Sequence, residues 1–287
     1  MRILCSGAGG FVGSSLYDAL EDEHEIWGFD NFLTGRRENH PGVIERDITN
    51  RDELYTFANE AEPELVIHCA ASYSDPNLWH RDTDTNVAGG INAALVAKHH
   101  GARLIYFQTI LPPISSYAIS KIASEHYQRF SGVPLTVFRM ANIYGPRNLS
   151  GPIPVFYKRI TNGQPCVVVD TTRDMVFISD LVRCVLQVIE EGLEGTFDVC
   201  SGVQTPIYEM HEAILEELGF TRVFYDLTPP DPDDVQGTID PANGVPGWKP
   251  EVSLRDGITR TVASYREHGV AETHTHLRIG EKDAHAD

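Results

Sequence analysis

The sequence predicts an α/β protein in which helices cover both faces of a doubly wound parallel sheet. Short apolar runs alternate along the chain with longer amphipathic segments, which is the pattern of repeated strand–helix units. The apolar runs contain few polar residues, as is typical of parallel strands buried on both faces. The first run passes directly into a glycine-rich turn and then into a helical pattern. We therefore expect a ligand-binding turn at the carboxyl end of the first strand.

Apolar runs and helix-ending residues locate the individual elements. Strands are predicted near 2–5, 25–29, 43–45, 65–69, 103–107 and 135–139. Helices are predicted near 10–20, 51–60, 84–100, 116–130, 179–191, 206–218 and 255–268. Gly101, Gly132 and Gly219 follow three of these helices and are expected to end them. Either Ser115 or Ser116 can cap the helix at 116–130.

The Pro- and Gly-rich stretch 145–165 indicates the crossing into a smaller lobe. We expect residues 1–145 to form the main domain, with later returns to its sheet near 170–200, and residues 146–287 to form a substrate lobe and a C-terminal tail. The tail is polar and contains His274, His276 and His285, a composition that favours disorder over metal binding. No metal site is predicted.

Composition limits the possible classes of protein. A chain of 287 residues with 41% hydrophobic content can bury one large or two modest cores. Its net charge of −18 argues against nucleic acid or an anionic membrane as partner. The chain has no apolar run long enough to span a bilayer and no apparent signal peptide. The 5 cysteines are widely spaced and form no C-x-x-C pair, so we expect reduced thiols in a cytoplasmic protein.

Glycines at 7, 10 and 13 follow the first strand. Such glycines permit a tight turn, let the backbone approach a phosphate, and let helix and strand pack closely. The helix that follows directs free N–H groups and a positive dipole end toward an anion. This order predicts a Rossmann-type site for the pyrophosphate of a dinucleotide, although the spacing is G-x-x-G-x-x-G rather than the commoner G-x-G-x-x-G.

An acidic residue, Asp30, ends the second predicted strand. A carboxylate in this place accepts hydrogen bonds from the ribose hydroxyls of adenosine and repels a 2′-phosphate. It therefore favours NAD over NADP. Arg36 and Arg37 follow closely and are the residues that would accommodate the additional phosphate of NADP.

Tyr117 and Lys121 stand four residues apart on a predicted helix, and so lie on one of its faces. A phenol with a pKa near about 10 is a poor base at neutral pH. A neighbouring ammonium and a positive nicotinamide ring both favour the phenolate. Downstream of a dinucleotide fingerprint, this pair is a candidate acid–base device.

These motifs together resemble the extended short-chain dehydrogenase/reductases of the NAD-dependent nucleotide-sugar epimerase/dehydratase family, and within it the UDP-glucose 4-epimerases. The resemblance extends along nearly the whole chain. Its motifs, in order, are Gly7/Gly10/Gly13, Asp30-Asn31 with Thr34-Gly35, Arg46-Asp47-Ile48, Val66 to Ala71, Thr85-Asn86-Val87, Tyr117 to Lys121, Arg139 to Pro146, and Arg173-Asp174 before Ser179-Asp180-Leu181.

The resemblance implies roles for individual residues. Tyr117 is the implied proton acceptor and donor, Lys121 lowers its pKa and holds the nicotinamide ribose, and Thr109 orients the sugar oxygen. Asn142 and Arg173 are the implied substrate-binding residues. The implied cofactor-binding residues are Gly7, Gly10, Phe11, Val12, Gly13, Asp30, Asn31, Thr34, Gly35, Asp47, Ile48, Ala70, Ala71, Tyr117 and Lys121. A homodimer is implied by the family alone.

Three departures from the family bear on the nucleotide and the reaction. Family members often place an Arg just before the acidic segment near 229–235, to hold the diphosphate, whereas no Arg stands between Arg222 and Arg255 here. Only 7 residues separate Thr109 from Tyr117, which reads like a longer loop with its middle removed. The 4,6-dehydratases of the family carry an Asp-Glu pair directly after the Ser or Thr, whereas Ile110-Leu111 follows Thr109 here. The resemblance therefore favours 4-epimerisation of a nucleotide-diphosphate hexose. A dehydratase or reductase of the same fold remains an alternative, as does a non-catalytic NAD-binding regulator, although such a regulator would usually lose the Tyr/Lys pair.

Overall fold

The computed structural model describes residues 1–273 except 74, 76, 222–224 and 231–234. The tail histidines and the acidic residues at 231–234 therefore lie outside the described residues. The strands are β1 (Arg2–Ser6), β2 (Glu25–Asp30), β3 (Ile44–Glu45), β4 (Leu65–His68), β5 (Arg103–Thr109), β6 (Leu135–Met140), β7 (Asn142–Tyr144), β8 (Cys166–Val169), β9 (Thr172–Phe177), β10 (Gly195–Val199), β11 (Gln204–Pro206) and β12 (Tyr225–Thr228).

The helices alternate with these strands as expected. They are α1 (Phe11–Leu20), α2 (Arg51–Ala61), α3 (Trp79–Asp82), α4 (Gly89–His100), α5 (Ser116–Ser131), α6 (Pro152–Thr161), α7 (Ile178–Glu191), α8 (Ile207–Leu218) and α9 (Leu254–His268). A π-helical segment, Thr83–Ala88, joins α3 to α4, and two short 3₁₀ helices lie at Arg37–Asn39 and Pro241–Asn243. Within the described residues, no helix has the length and apolar character needed to cross a membrane.

Seven strands form one parallel sheet in the order β10-β6-β5-β4-β1-β2-β3. The chain reverses its direction of travel across the sheet between β1 and β4, which pair from Ile3 opposite Leu65 to Ser6 opposite His68. This is the predicted doubly wound, Rossmann-type architecture. In such sheets ligands bind beyond the carboxyl ends of the strands at this reversal point.

The smaller lobe is built from two short sheets and the helices around them. β9 pairs antiparallel with β11 and parallel with β7, while β8 pairs with β12. In the stretch where returns to the main sheet are expected, β10 joins that sheet beside β6, and β9 lies in the small sheet instead. The division into residues 1–145 and 146–287 stays a prediction.

Two apolar clusters cover the faces of the main sheet. On one face β1, β4 and β5 pack against α1 and α7, and this cluster continues into the smaller lobe through α6 and α8. On the other face the same strands pack against α2 and α4. Since both faces are covered, the strands read as nearly continuous apolar runs. The sheet is thereby a fixed base for the side chains and turns at its carboxyl edge.

Candidate active site

The glycine turn after β1 has a shape that side chains would destroy. Gly7 has a φ of +70°, and a Cβ there would lie 2.5 Å from the backbone nitrogen of Ala70. A Cβ on Gly13 would overlap the carbonyl oxygen of Gly7. The first glycine therefore permits the turn and the approach of the loop after β4, and the third permits the close packing of α1 on the turn.

This turn opens into a cavity of about 280 Å³ at the carboxyl edge of the main sheet. Gly10 caps α1 without a side-chain hydrogen bond, so the first N–H groups of the helix remain available to an anion. The cavity extends from this helix end past Asp30 on β2 in one direction and to Tyr117 and Lys121 on α5 in the other. We call it the first cavity. It combines an anion cradle, an acidic ribose site and a lysine, and these residues fit a dinucleotide.

Asp30 lies in the wall of the first cavity and is 8% exposed. Its carboxylate accepts hydrogen bonds from the backbone nitrogens of Gly9 (3.0 Å) and Phe32 (2.7 Å). Burial raises the pKa of Asp30, while these backbone hydrogen bonds lower it. Arg36 lines the same cavity but pairs with Glu38, and Arg37 pairs with Glu45. The basic residues that would favour NADP thus already have carboxylate partners.

Most of the predicted cofactor-binding residues line the first cavity. Gly35 and Asp47 are the two that do not. Gly35 lies against the Asp30 carboxylate, where a Cβ would be 2.6 Å from an oxygen. Asp47 accepts a 3.0 Å hydrogen bond from the Asn31 amide and thereby fixes Asn31, which does line the cavity. The lining residues are Gly7, Gly10, Phe11, Val12, Gly13, Asp30, Asn31, Thr34, Ile48, Ala70, Ala71, Tyr117 and Lys121.

A second cavity of about 200 Å³ adjoins the first, and Tyr117 lines both. Thr109, Asn142 and Arg173 line the second cavity only, and Lys121 lines the first only. The Ser115 side chain caps α5 by accepting a 3.2 Å hydrogen bond from Ala118 N, which decides between the two predicted capping serines. Of the three predicted catalytic residues, Tyr117 therefore lies at the boundary between the two cavities, with Lys121 on one side and Thr109 on the other.

At this boundary Tyr117 is half-buried and Lys121 is buried, and the pKa values of both side chains are shifted. Burial, together with the nearby Tyr73 and Asp82, raises the pKa of Tyr117. Burial lowers the pKa of Lys121 to about 7, and its ammonium lies 4.2 Å from the ring centre of Tyr106. Without further positive charge the phenol stays protonated. A cationic group in the first cavity would favour the phenolate, as the implied cofactor does.

A hydrogen-bonded network that was not predicted from sequence anchors α5. Asn86, from the π-helical segment, donates to the carbonyl of Ser72 and to the hydroxyl of Ser120, both at 2.9 Å. It also accepts from Ser72 N at 2.8 Å, and the Ser72 hydroxyl donates to Asp82 at 2.8 Å. The network ties the loop after β4 to the helix that carries Tyr117. The Thr85-Asn86-Val87 motif was the only sequence signal for it.

The second cavity has few charged groups. Arg173 is 6% exposed and donates to the Thr171 hydroxyl (3.1 Å) and the Thr172 carbonyl (2.9 Å). Asn142 donates to the Asp174 carbonyl at 3.2 Å. Within the described part of the chain, no lining residue of this cavity is acidic. The polar side chains among its described lining residues are three phenols, two aliphatic hydroxyls, three amides and one guanidinium.

One surface group has the residue types of a metal site. Potential ligand atoms of Asp18, Glu21 and His40 lie within 4.8 Å of one another. Asp18 pairs with Arg147 at 2.7 Å, and His40 bonds to Glu21 at 3.0 Å. These contacts account for the cluster as an Asp18–Arg147 ion pair beside a His40–Glu21 hydrogen bond.

The chain matches known proteins over most of its length. A family model described as the NAD dependent epimerase/dehydratase family matches residues 3–200. The crystal structure of the Bordetella bronchiseptica enzyme WbmG in complex with NAD and UDP is 37% identical, with a TM-score of 0.86, over 96% of this chain and 98% of that one. A UDP-glucose 4-epimerase of Mycolicibacterium smegmatis is 29% identical over 93% of this chain and 99% of its own length.

The relatives differ in reaction and in length. UDP-glucuronic acid decarboxylase 3 of Arabidopsis thaliana is 27% identical over 93% of this chain and 89% of its own. The alignment with the M. smegmatis protein runs over 314 positions, more than the 287 residues of this chain, so that relative has segments which this chain lacks. The fold, the glycine cradle and the matched residues agree: this chain belongs to the NAD-dependent epimerase/dehydratase family and is similar in fold to its extended short-chain dehydrogenase/reductase members.

Proposed function

We propose that this protein is a nucleotide-sugar 4-epimerase that uses Tyr117 as its proton acceptor and donor. The observation that carries the proposal is the position of Tyr117 between the two cavities. Lys121 lies on the side of the first cavity and Thr109 on the side of the second. A phenol placed in this way can touch a sugar hydroxyl while a lysine beside the cofactor site controls its charge.

Each residue has one task in the proposed reaction. Bound NAD supplies a hydride acceptor that later returns the hydride to the sugar. Tyr117 takes the proton of the C4 hydroxyl as the C4 hydrogen leaves, and the hydroxyl of Thr109 orients the same oxygen. Lys121 stabilises the phenolate by its charge. After the 4-keto sugar has turned, Tyr117 gives the proton back to the carbonyl oxygen, so no proton or hydride is consumed.

The substrate proposed for the second cavity is a nucleotide-diphosphate hexose. Among the described residues that line this cavity, Arg173 is the one with a positive charge, and its guanidinium suits a phosphate. Asn142 lines the same cavity. Relatives are named for UDP-glucose, and WbmG was crystallised with UDP. We therefore test uridine nucleotides first.

Two of the alternative reactions need groups that this site lacks among its described residues. Elimination of water and decarboxylation call for an acid beside the sugar. Here Ile110 and Leu111 follow Thr109 in the wall of the second cavity. A purely regulatory protein would not need Tyr117, Lys121 and Thr109 around the two cavities. Epimerisation and net reduction need the same groups, and they differ in whether the cofactor is regenerated or consumed.

The test is to incubate the purified protein, without added cofactor, with UDP-glucose, UDP-N-acetylglucosamine and their uronic acid forms. NMR reports the configuration at C4, and absorbance reports net NADH. A C4 epimer without accumulation of NADH supports the proposal. An unsaturated or keto product, stoichiometric NADH, or no product from any of these sugars would contradict it.

Tyr117→Phe tests the role of the phenol. We expect turnover to fall by at least about 1,000-fold, in line with the loss of a general acid–base group, while NAD binding is kept because the ring still fills its place. Tyr127→Phe, on the exposed face of the same helix, is the matched control and should retain activity. Turnover at the wild-type rate by Tyr117→Phe would rule out the mechanism.

We also propose that the protein is a cytoplasmic homodimer that associates through α4 and α5, which correspond to the helices predicted near 84–100 and 116–130 and for which the family resemblance implies this role. All 5 cysteines are free thiols, which suits a reducing compartment. Ile119, Tyr127 and Phe130 on α5 are 53%, 52% and 89% exposed. Phe130→Arg should shift the protein from dimer to monomer in sedimentation. A wild-type monomer at micromolar concentration would refute this part of the proposal.

A further inference from the structure

Gln108 joins the end of β5 to the middle of α5 through a single buried amide. Its side chain is 2% exposed and immediately precedes Thr109. The amide oxygen accepts a 2.8 Å hydrogen bond from Thr109 N. The amide nitrogen donates to the Lys121 carbonyl and to the Glu125 carboxylate, both at 3.0 Å. One amide thus contacts the backbone of two predicted catalytic residues.

We propose that Gln108 is a positioning residue that fixes Thr109 relative to the face of α5 carrying Tyr117 and Lys121. This inference rests on the proposed function, since it assigns Gln108 a part in the same reaction. The amide has two different ends, and each meets a partner of opposite character. The acceptor end meets an N–H group, and the donor end meets two oxygens. Turning the amide over would break all three hydrogen bonds.

The surrounding contacts support a fixed geometry. Tyr106, two residues earlier on β5, points to the same face of the sheet and donates to the same Lys121 carbonyl at 3.0 Å. Glu125 is held in turn by Arg129 at 2.8 Å. Two side chains from β5 therefore donate hydrogen bonds to the same carbonyl of α5. The Glu125 carboxylate, which accepts the third hydrogen bond, is itself held by Arg129.

The short loop between Thr109 and Tyr117 makes this tether more important. The described hydrogen bonds of its first part, residues 110–114, are local ones, from Leu111 N to the Thr109 hydroxyl (3.1 Å) and from Ile114 N to the Pro112 carbonyl (2.7 Å). Ser115 caps α5, but neither of these two bonds ties the part of the loop next to Thr109 to that helix. The relative position of the hydroxyl and the phenol is therefore set by the β5–α5 contact, in which Gln108 supplies the polar part.

Gln108→Glu tests the inference with little change of shape. A carboxylate cannot donate to the Lys121 carbonyl and repels Glu125, so we expect kcat to fall by on the order of 100-fold with a small change in KM. Adding Glu125→Gln returns a donor opposite the new carboxylate and should recover at least about tenfold of this loss. The matched control is Gln187→Glu, because Gln187 on α7 also donates to a carboxylate four residues on, Glu191 at 3.0 Å, and to the Pro246 carbonyl at 2.9 Å.

A second measurement does not depend on turnover. The chain has 5 lysines, so NMR of their side chains can follow the pKa of Lys121, assigned with Lys121→Arg. In Gln108→Leu the loosened contact should admit water and raise the pKa of Lys121 toward its ordinary value, and Gln187→Leu should leave it unchanged. If wild-type protein epimerises no sugar, the proposed function fails while this experiment still decides the role of Gln108. An unchanged kcat in an active enzyme, or an unchanged pKa of Lys121, would overturn the inference.

Discussion

Replacing Lys121 by Met should stabilise the cofactor-free protein while abolishing its activity. Lys121 is 3% exposed and carries no described ion pair with a carboxylate. Burial lowers the pKa of Lys121 from 10.5 to about 7 in the folded protein. The charged lysine is therefore a cost to folding that is retained because the site needs it.

The magnitude follows from the pKa. At about 1.4 kcal/mol for each unit of pKa, the fall from 10.5 to about 7 makes the protonated lysine about 5 kcal/mol less stable in the folded protein than in the unfolded chain. The face of Tyr106, 4.2 Å from the ammonium, already offsets part of the burial cost. We take about 5 kcal/mol as the upper limit and expect Lys121→Met to gain about 3 to 5 kcal/mol.

The pH dependence has a definite sign. Below pH 7 the lysine is protonated in both states, and its full cost is present. Between pH 7 and 10.5 the unfolded chain binds one more proton than the folded protein, so wild-type stability rises with pH. The advantage of Lys121→Met should therefore be largest at acidic pH and shrink toward pH 10.5.

The assay is urea denaturation of protein from which NAD has been removed, at about pH 6 and about pH 9, the two sides of the lower pKa. Lys158→Met is the control, because Lys158 is partly exposed and its ammonium bonds to the Ala271 carbonyl at 3.2 Å. That variant should show no gain. The reasoning is refuted if Lys121→Met is no more stable than wild type at the lower pH, or if its advantage grows with pH.

Two further predictions concern the glycine turn after β1 and the smaller lobe. Gly13→Ala should abolish NAD binding in equilibrium dialysis, because the new methyl group overlaps the Gly7 carbonyl oxygen. Gly101→Ala is the control: its Cβ has no atom within 4 Å, so this variant should bind NAD and lose only about 1 kcal/mol of stability. His211 is fully buried between Phe156 and Tyr225, neither ring nitrogen has a hydrogen-bond partner, and burial lowers its pKa. His211→Leu should therefore raise the free energy of unfolding by about 1–2 kcal/mol. Below pH 6.5 the unfolded wild-type chain binds a proton at His211 that the folded protein does not, so the variant should also lose less stability as the pH falls. A urea midpoint equal to or below that of wild type would contradict this prediction.

Much of the main sheet was predictable because most of its first six strands are apolar runs bounded by turn residues; β3, the exposed pair Ile44–Glu45, is the exception. The smaller lobe was less so. The stretch 145–165 was interpreted as a Pro- and Gly-rich crossing, yet Pro152–Thr161 forms α6, since Pro is well tolerated in the first turn of a helix. Apolar runs show that a strand forms but not which strand it pairs with, so the separate sheet of Thr172–Phe177 had no local signal.

The candidate site was predictable where function imposes local spacing. The glycine turn, Asp30 and the Tyr117–Lys121 pair each have such spacing, and the structure brings them to one cavity. Gln108 and the Asn86 network escaped prediction because their partners are distant in sequence. Asn39 also lines the first cavity without any motif to mark it, and Arg46 lines it although its motif, Arg46-Asp47-Ile48, implied no role for the arginine. Long-range pairing of single polar groups leaves no periodic pattern.

The number of residues in the π-helical segment Thr83–Ala88 sets the direction in which Asn86 points, and so matters for function. A π turn holds one more residue than an α turn, so deleting Val87 or Ala88, which lie between Asn86 and α4, would let the helix become regular. Either deletion would nevertheless rotate Asn86 by about 100° relative to α4, away from Ser72 and Ser120. These two deletions should therefore be tolerated by folding and rejected by selection for activity, whereas conservative substitutions at the outward-facing positions of the segment should pass both.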